Sequence, residues 1–347
     1  MTLGENMKRK ILISGAGGYI GSVATYLFLR NGYEVVAVDN YSTGYRQPLE
    51  LLQKKFSSDE LKIYEADLKN DLSPIFEKEV KSGEATFDAV VHYAASCLVD
   101  ESMKKPEKYF RNNILGTLNL LETMVKFKIH NIVFSSTAAV YGEAQHIPIV
   151  EEHPLNPINV YGESKLIAEK IIEWYGKIFD IRYLILRYFN VCGASDDGLI
   201  GDSKKPSTLL VQNTVRGALM IEPFYLTCPE VETPDKTPIR DYINVMDLNE
   251  AHLAALEYLF KDGKSEVINL GTQTGNSVLE IVNKVRDVTG VKFEIKKTTQ
   301  RKGDPARLVA SIKKAKTVLG WEPKRKIEDS IKSLVTWYNN QPHGWEK

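Results

Sequence analysis

The chain has 347 residues, beyond the size at which one hydrophobic core usually stops growing, so two lobes are the starting expectation. Its 43% hydrophobic and 26% charged residues are those of an ordinary soluble globular protein, and 45 basic residues against 45 acidic ones argue against a nucleic-acid or membrane footprint. Three cysteines (Cys97, Cys192, Cys228) fit neither metal-ligand spacing nor a disulfide framework, and no stretch approaches the ~20 apolar residues of a membrane span, so a reducing, cytoplasmic setting is expected.

In chain order, residues 10–14 read as a buried strand, 20–30 as a helix and 33–39 as a second strand. Residues 61–65 and 87–92 give a third and a fourth. A helix over 109–127 precedes a fifth strand at 131–135, and a helix over 160–179 precedes a sixth at 182–187. Continuous apolar strands between helices mean parallel pairing with both sheet faces covered. The expected fold is therefore α/β, a Rossmann-type doubly wound sheet over 1–190. Beyond Asn190 the rhythm breaks. Four prolines between 223 and 238 exclude a long regular element there, a short strand holds Arg240-Asp241-Tyr242, and helices are expected near 208–219, 247–260, 278–289 and 327–339. Residues 191–347 read as a smaller, mixed α/β substrate lobe, with some elements returning to the sheet.

Gly15-Ala16-Gly17-Gly18-Tyr19-Ile20-Gly21 follows the first strand and opens the first helix. Missing side chains at Gly15, Gly18 and Gly21 permit a tight turn and close backbone approach to a pyrophosphate, while the helix N-terminus supplies free N–H groups. Asp39 ends the second strand, where a carboxylate takes ribose hydroxyls. It would repel a 2′-phosphate, which favours NAD over NADP. Asp67-Leu68, after the third strand, sits where an adenine contact is common in such folds.

Tyr161 and Lys165 share one face of a helix that follows a strand ending in Ser135-Ser136-Thr137. An ammonium beside a phenol, with a bound nicotinamide adding positive charge, favours the phenolate. Such a group can serve as general base toward a sugar hydroxyl near neutral pH.

Further motifs are His92-Tyr93-Ala94-Ala95, Asn112-Asn113-Ile114-Leu115-Gly116-Thr117, Leu186-Arg187-Tyr188-Phe189-Asn190, Arg240-Asp241-Tyr242-Ile243-Asn244 and Arg301-Lys302-Gly303-Asp304. With these the chain resembles the extended short-chain dehydrogenase/reductase superfamily, and most closely its UDP-glucose (UDP-galactose) 4-epimerases, from Lys10 to about Trp337. The resemblance implies NAD as a retained cofactor and a UDP-sugar as substrate, with no metal. It implies that Tyr161 takes the proton of the sugar 4-hydroxyl while hydride leaves C4, that Thr137 relays this proton, and that Lys165 holds the nicotinamide ribose and lowers the Tyr161 pKa. Hydride returns to the other face after the 4-keto sugar rotates. It further implies cofactor contacts at Tyr19, Ile20, Asn40, Tyr93, Ala94, Ala95, Asn112, Ser135 and Phe189. Asn190, Arg240, Arg301 and Asp304 would hold the diphosphate, sugar and uridine ribose.

Sugar dehydratases of the superfamily carry an Asp-Glu pair after the strand-end threonine; here Ala138-Ala139 stand there. Cys97 replaces a lysine that contacts cofactor ribose in many members, and Leu209 replaces a polar residue near the diphosphate. Leu308 falls where a tyrosine narrows the sugar site in some members, so N-acetylated sugars are a further expectation. The resemblance implies that the helices over 109–127 and 160–179 form a four-helix interface in a homodimer. His92 reads as structural, and the other histidines show no metal-ligand spacing. Alternatives are the same chemistry on UDP-GlcNAc/UDP-GalNAc or a UDP-pentose, and, from another class, a non-catalytic NAD-binding sensor.

Overall fold

A computed structural model describes residues 8–80, 87–204, 207–297 and 305–345. Seven parallel strands form the central sheet: β1 (Lys10–Ser14), β2 (Glu34–Asp39), β3 (Leu61–Glu65), β4 (Ala89–His92), β5 (Asn131–Thr137), β6 (Arg182–Tyr188) and β7 (Glu266–Leu270). Their order is β7-β6-β5-β4-β1-β2-β3. Chain direction across the sheet reverses beside β1, which pairs with both β2 and β4. In such sheets the crevice above that point is where ligands bind.

Successive residues of each strand feed opposite cores. Ile11, Ile13, Val35 and Ala37 pack with helices Tyr19–Arg30 and Val245–Phe260. Leu12, Val36, Val38 and Phe134 pack with helices Ser73–Glu79, Gly116–Lys126 and Val160–Phe179. A fully buried aliphatic side chain is worth about 1.5–3 kcal/mol, so these strands can only persist with both faces covered.

The seventh strand comes from the second half of the chain and pairs with β6 in register, Glu266 opposite Leu184. Sequence reading expected some return to the sheet but marked no strand there. A second, small sheet joins Asn190–Cys192, Ile239–Asn244, Gly275–Ser277 and Arg307–Leu308. Helices Leu210–Ala218, Val278–Thr289 and Ile327–Asn340 pack around Trp337, which is fully buried.

One expected helix differs. Over 109–127 the backbone widens to π geometry at Phe110–Leu115 before continuing as an α-helix to Lys126. The wide turn lets the Asn113 amide leave the helix; it donates to Ser96 O (3.0 Å) and Ser164 Oγ (2.9 Å) and accepts from Ser96 N. Such bulges often sit at functional sites.

His92 closes the sheet from within. Its ring bonds Ser14 Oγ at 2.7 Å and Thr117 Oγ1 at 2.9 Å, linking β1, β4 and the following helix. Thr117 gives its own proton to Asn113 O, so Nε2–H donates to Thr117 and Nδ1 accepts from Ser14. Burial, with Lys165 nearby, pulls its pKa to about 3, and burial pulls that of His252 to about 4.

Two outcomes are expected. Replacing Ile185, fully buried in β6, by alanine should cost about 2–5 kcal/mol in urea unfolding, from lost transfer energy and the residual cavity. The unfolded chain takes up protons on both histidines near pH 6.5, whereas the fold refuses them down to about 3 and 4, so stability is held above that point and lost as pH falls. At about pH 5.5 each should cost about 1 kcal/mol relative to about pH 7.5. A His252→Gln variant should show the smaller pH slope; an unchanged slope would remove His252 from this account.

Candidate active site

The glycine loop is shaped by what it touches. Gly15 has φ +76°, and a Cβ there would lie 2.6 Å from Ala94 N, so the loop abuts the end of β4 as only glycine allows. Helix Tyr19–Arg30 starts at Gly18 without a side-chain cap, leaving its first amides for a ligand. Asp39 fastens the same loop: Oδ2 accepts from Gly17 N (2.8 Å) and Oδ1 from Tyr41 N (2.7 Å). Asn40 donates to Asp67 Oδ2 at 3.1 Å. Burial opposes the Asp67 charge, but hydrogen bonds from Lys69 and Asn40 outweigh it and hold its pKa below the usual range.

These groups line one cavity of about 410 Å³. The seventeen positions expected to contact the cofactor all border it, from Asp39, Asn40, Asp67 and Leu68 to Ser135, Tyr161, Lys165 and Phe189. Thr137 and Asn190 border it too. Tyr19 borders it with its hydroxyl donating to Gly193 O, which braces the loop against the second half of the chain.

Helix Val160–Phe179 brings Tyr161 to the strand end. Asn159 caps it by accepting from Gly162 N (2.8 Å). A Cβ at Gly162 would lie 2.5 Å from Ala139 O, so the helix approaches residues 137–139 as closely as backbones permit. Tyr161 lies close enough to Thr137 for that hydroxyl to favour the phenolate, and Thr137 Oγ1 accepts from Ala139 N at 3.2 Å.

Burial pushes the Tyr161 phenol well above its ordinary value, reinforced by Tyr188 and Cys97 and only partly offset by Thr137. Burial likewise lowers the Lys165 pKa to about 7, against Glu169. Lys165 Nζ sits 4.0 Å from the centre of the Phe134 ring. The expected lowering of the Tyr161 pKa by Lys165 is therefore not the net effect of the protein's own groups. Removal from water is the largest cause of the rise.

Sequence reading missed the second layer. Ser135 Oγ donates to Nε2 of buried His252 (2.9 Å), whose Nδ1–H donates to Leu248 O (2.9 Å). Tyr93 stacks on that imidazole at 4.8 Å and donates to Asn249 (2.9 Å). Tyr188 also borders the cavity, its pKa pushed up to about 12 by burial. The 186–190 motif pointed to it, but nothing in one sequence pairs Ser135 with a helix 117 residues away.

The substrate positions are less gathered. Arg240 and Leu308 are opposite each other on paired strands of the small sheet and are not among the described residues bordering the cavity. Arg240 Nη1 donates to Ile239 O (3.0 Å). Arg301 and Asp304 lie outside the described residues. Leu209 borders the cavity where a polar residue was expected from the resemblance.

A family model described as GDP-mannose 4,6 dehydratase matches residues 12–334. The UDP-glucose 4-epimerase of Lactobacillus helveticus is 41% identical over 97% of this chain and 99% of its own length. A crystal structure of a UDP-glucose 4-epimerase superposes with a TM-score of 0.90 at 42% identity, covering 98% of this chain and 100% of its own. The Bifidobacterium longum UDP-glucose 4-epimerase, solved with NAD+ and UDP, superposes at 0.89 with 32% identity, covering 97% and 100%. Whole-length similarity at this level, in sequence and in fold, makes this chain a member of the UDP-glucose 4-epimerase family.

Proposed function

We propose that the protein is an NAD-dependent isomerase that inverts C4 of a UDP-hexose, interconverting UDP-glucose and UDP-galactose. The observation that carries this is one cavity bordered both by the glycine loop and Asp39 and by Thr137, Tyr161 and Lys165. The relative from Bifidobacterium longum, solved with NAD+ and UDP, supports both ligands. The glycine loop fits a dinucleotide: its closely packed backbone and uncapped helix start suit a pyrophosphate, and the Asp39 carboxylate suits ribose hydroxyls.

When bound, NAD would supply a hydride acceptor for sugar C4 and the positive charge of its nicotinamide ring. Tyr161 takes the 4-hydroxyl proton as the C4–O bond becomes a carbonyl, with the neighbouring Thr137 hydroxyl favouring the phenolate. In so buried a site an added positive charge acts strongly on the phenol, which the protein alone holds neutral. Lys165, on the same helix face, holds the ribose. After the keto sugar turns, Tyr161 returns the proton. Dehydration is disfavoured because Ala138-Ala139 offer neither acid nor base beside Thr137.

Residues 1–190 would hold the cofactor and residues 191–347 the nucleotide sugar, with Asn190, Arg240, Arg301 and Asp304 on its diphosphate and ribose. Trp174, Ile178 and Phe179 leave an exposed apolar stretch on helix Val160–Phe179, which supports a homodimer. No described helix is long and apolar enough to cross a membrane. A cytoplasmic location is consistent with three free cysteines.

Purified protein incubated with UDP-galactose, without added NAD, should form UDP-glucose. Tyr161→Phe should lower turnover about a hundred- to ten-thousandfold while leaving the fold intact. Undiminished turnover in that variant, or no conversion even with NAD supplied, would end this reading. Conversion of UDP-N-acetylgalactosamine in the same assay would support the wider sugar site expected from Leu308; its absence beside UDP-galactose turnover would remove that expectation.

A further inference from the structure

Among the described residues bordering the cavity, Lys165 and Lys204 are the two cations, facing the carboxylates of Asp39, Asp67 and Asp202. Residues 15–22 of the glycine loop contain no lysine or arginine. The helix start behind them contributes roughly half a positive charge. A pyrophosphate laid on that loop would therefore be short of positive charge unless a side chain from elsewhere supplied it.

Lys204 arrives from the other half of the chain. The Tyr45 amide donates to Gly17 O (2.9 Å) and the Tyr45 hydroxyl to Ser203 O (2.7 Å), tying residue 203 to the glycine loop. Trp337 Nε1 donates to Asp202 O (3.1 Å), and Trp345 N to Ser203 Oγ (3.0 Å), bracing the segment from behind. From there the Lys204 side chain reaches back, and Nζ stops 3.1 Å from Cys97 Sγ, five residues beyond the end of β4. Ser203 is thus tied through Tyr45 to the glycine loop, where a pyrophosphate sits in a doubly wound sheet, while the Lys204 side chain spans to Cys97. A thiol sulfur is a weak acceptor, whereas an ammonium beside a phosphate oxygen makes a short, charge-assisted bond.

We propose that Lys204 binds a diphosphate here: its ammonium leaves Cys97 Sγ for a pyrophosphate oxygen of the dinucleotide, and residues 201–204 form the wall that retains the cofactor. This rests on the NAD-dependent reading above. The nucleotide sugar carries a diphosphate too, but the tie through Tyr45 to the glycine loop assigns Lys204 to the dinucleotide.

The test compares wild type, Lys204→Met and Lys204→Arg, each checked for native melting behaviour. NAD released by acid is counted per chain by chromatography, NAD affinity is measured by fluorescence titration, and KM for UDP-galactose is measured at saturating NAD. Lys204→Met should lose bound NAD on gel filtration and bind it about 10- to 100-fold more weakly, the loss of one charge-assisted hydrogen bond. Its KM for UDP-galactose should stay within about threefold of wild type, well below the tenfold that one lost charge-assisted bond produces, and Lys204→Arg should recover most of the affinity. Native-like Lys204→Met with wild-type NAD content and affinity would overturn the proposal. A raised KM with NAD retained would also overturn it and move Lys204 to the nucleotide sugar. Wild type that neither contains nor binds NAD would instead overturn the NAD-dependent reading itself.

Discussion

The site depends on how closely one helix is held against two strands. Arg187 of β6 and Glu169 of helix Val160–Phe179 form an ion pair at 2.6 Å, with side chains 4% and 2% exposed. Ser136 of β5 donates to the same carboxylate, and Arg187 also donates to the Tyr141 hydroxyl, which in turn donates to Asn269 of β7. A buried pair of this kind adds little net stability, but losing one partner costs about 3–5 kcal/mol. Its consequence is therefore geometric. Tyr161, Lys165 and Glu169 are four residues apart, so fastening Glu169 sets the rotation of the whole face. At the other end Gly162 lets the helix touch Ala139, and Tyr161 is left against Thr137.

Water exclusion then governs the electrostatics. The same burial that raises the Tyr161 phenol lowers the Lys165 ammonium to about 7 and keeps His92 and His252 neutral. Each of the two imidazoles is tied to specific partners: Ser14 and Thr117 for His92, Ser135 and Leu248 for His252. A dry, preorganised site of this kind makes any charge brought by a ligand count far more than it would in water. A neutral phenol poised beside Thr137 suits a reaction in which the proton must move only when the other reactant is present.

The second half of the chain completes the cavity rather than standing apart from it. Helix Val245–Phe260 places Asn249 and His252 behind Tyr93 and Ser135, while residues 201–204 and Trp345 border the cleft from the opposite side. Asp241 and Asp247, within and just after the arginine-aspartate motif, act as internal fasteners. Asp241 accepts from Thr272, Gln273 and Ala310, and Asp247 from Lys324 and Arg325. They hold the small sheet and the helix start in place while Arg240, their neighbour, lies on a half-exposed strand position.

Local chemistry determined much of this protein. The apolar strands of the first half, the helices over 160–179 and 278–289, the glycine loop, Asp39 and the Tyr161–Lys165 face were all legible, because each is written in residues within one or two turns of one another. Short-range rules could not supply the seventh strand, whose partner β6 is some eighty residues upstream, or the π turn at Phe110–Leu115, which exists because Asn113 is drawn toward Ser96 and Ser164. Nor could they show the Ser135–His252 bond, the Lys204–Cys97 contact or the sign of the Tyr161 shift. Those follow from which distant groups share a space without water, and a pattern of periodicity carries no information about that. Sequence by itself settled which residues could do the chemistry; tertiary packing decided what surrounds them, because desolvation and long-range hydrogen bonds arise only once distant segments have packed on one another.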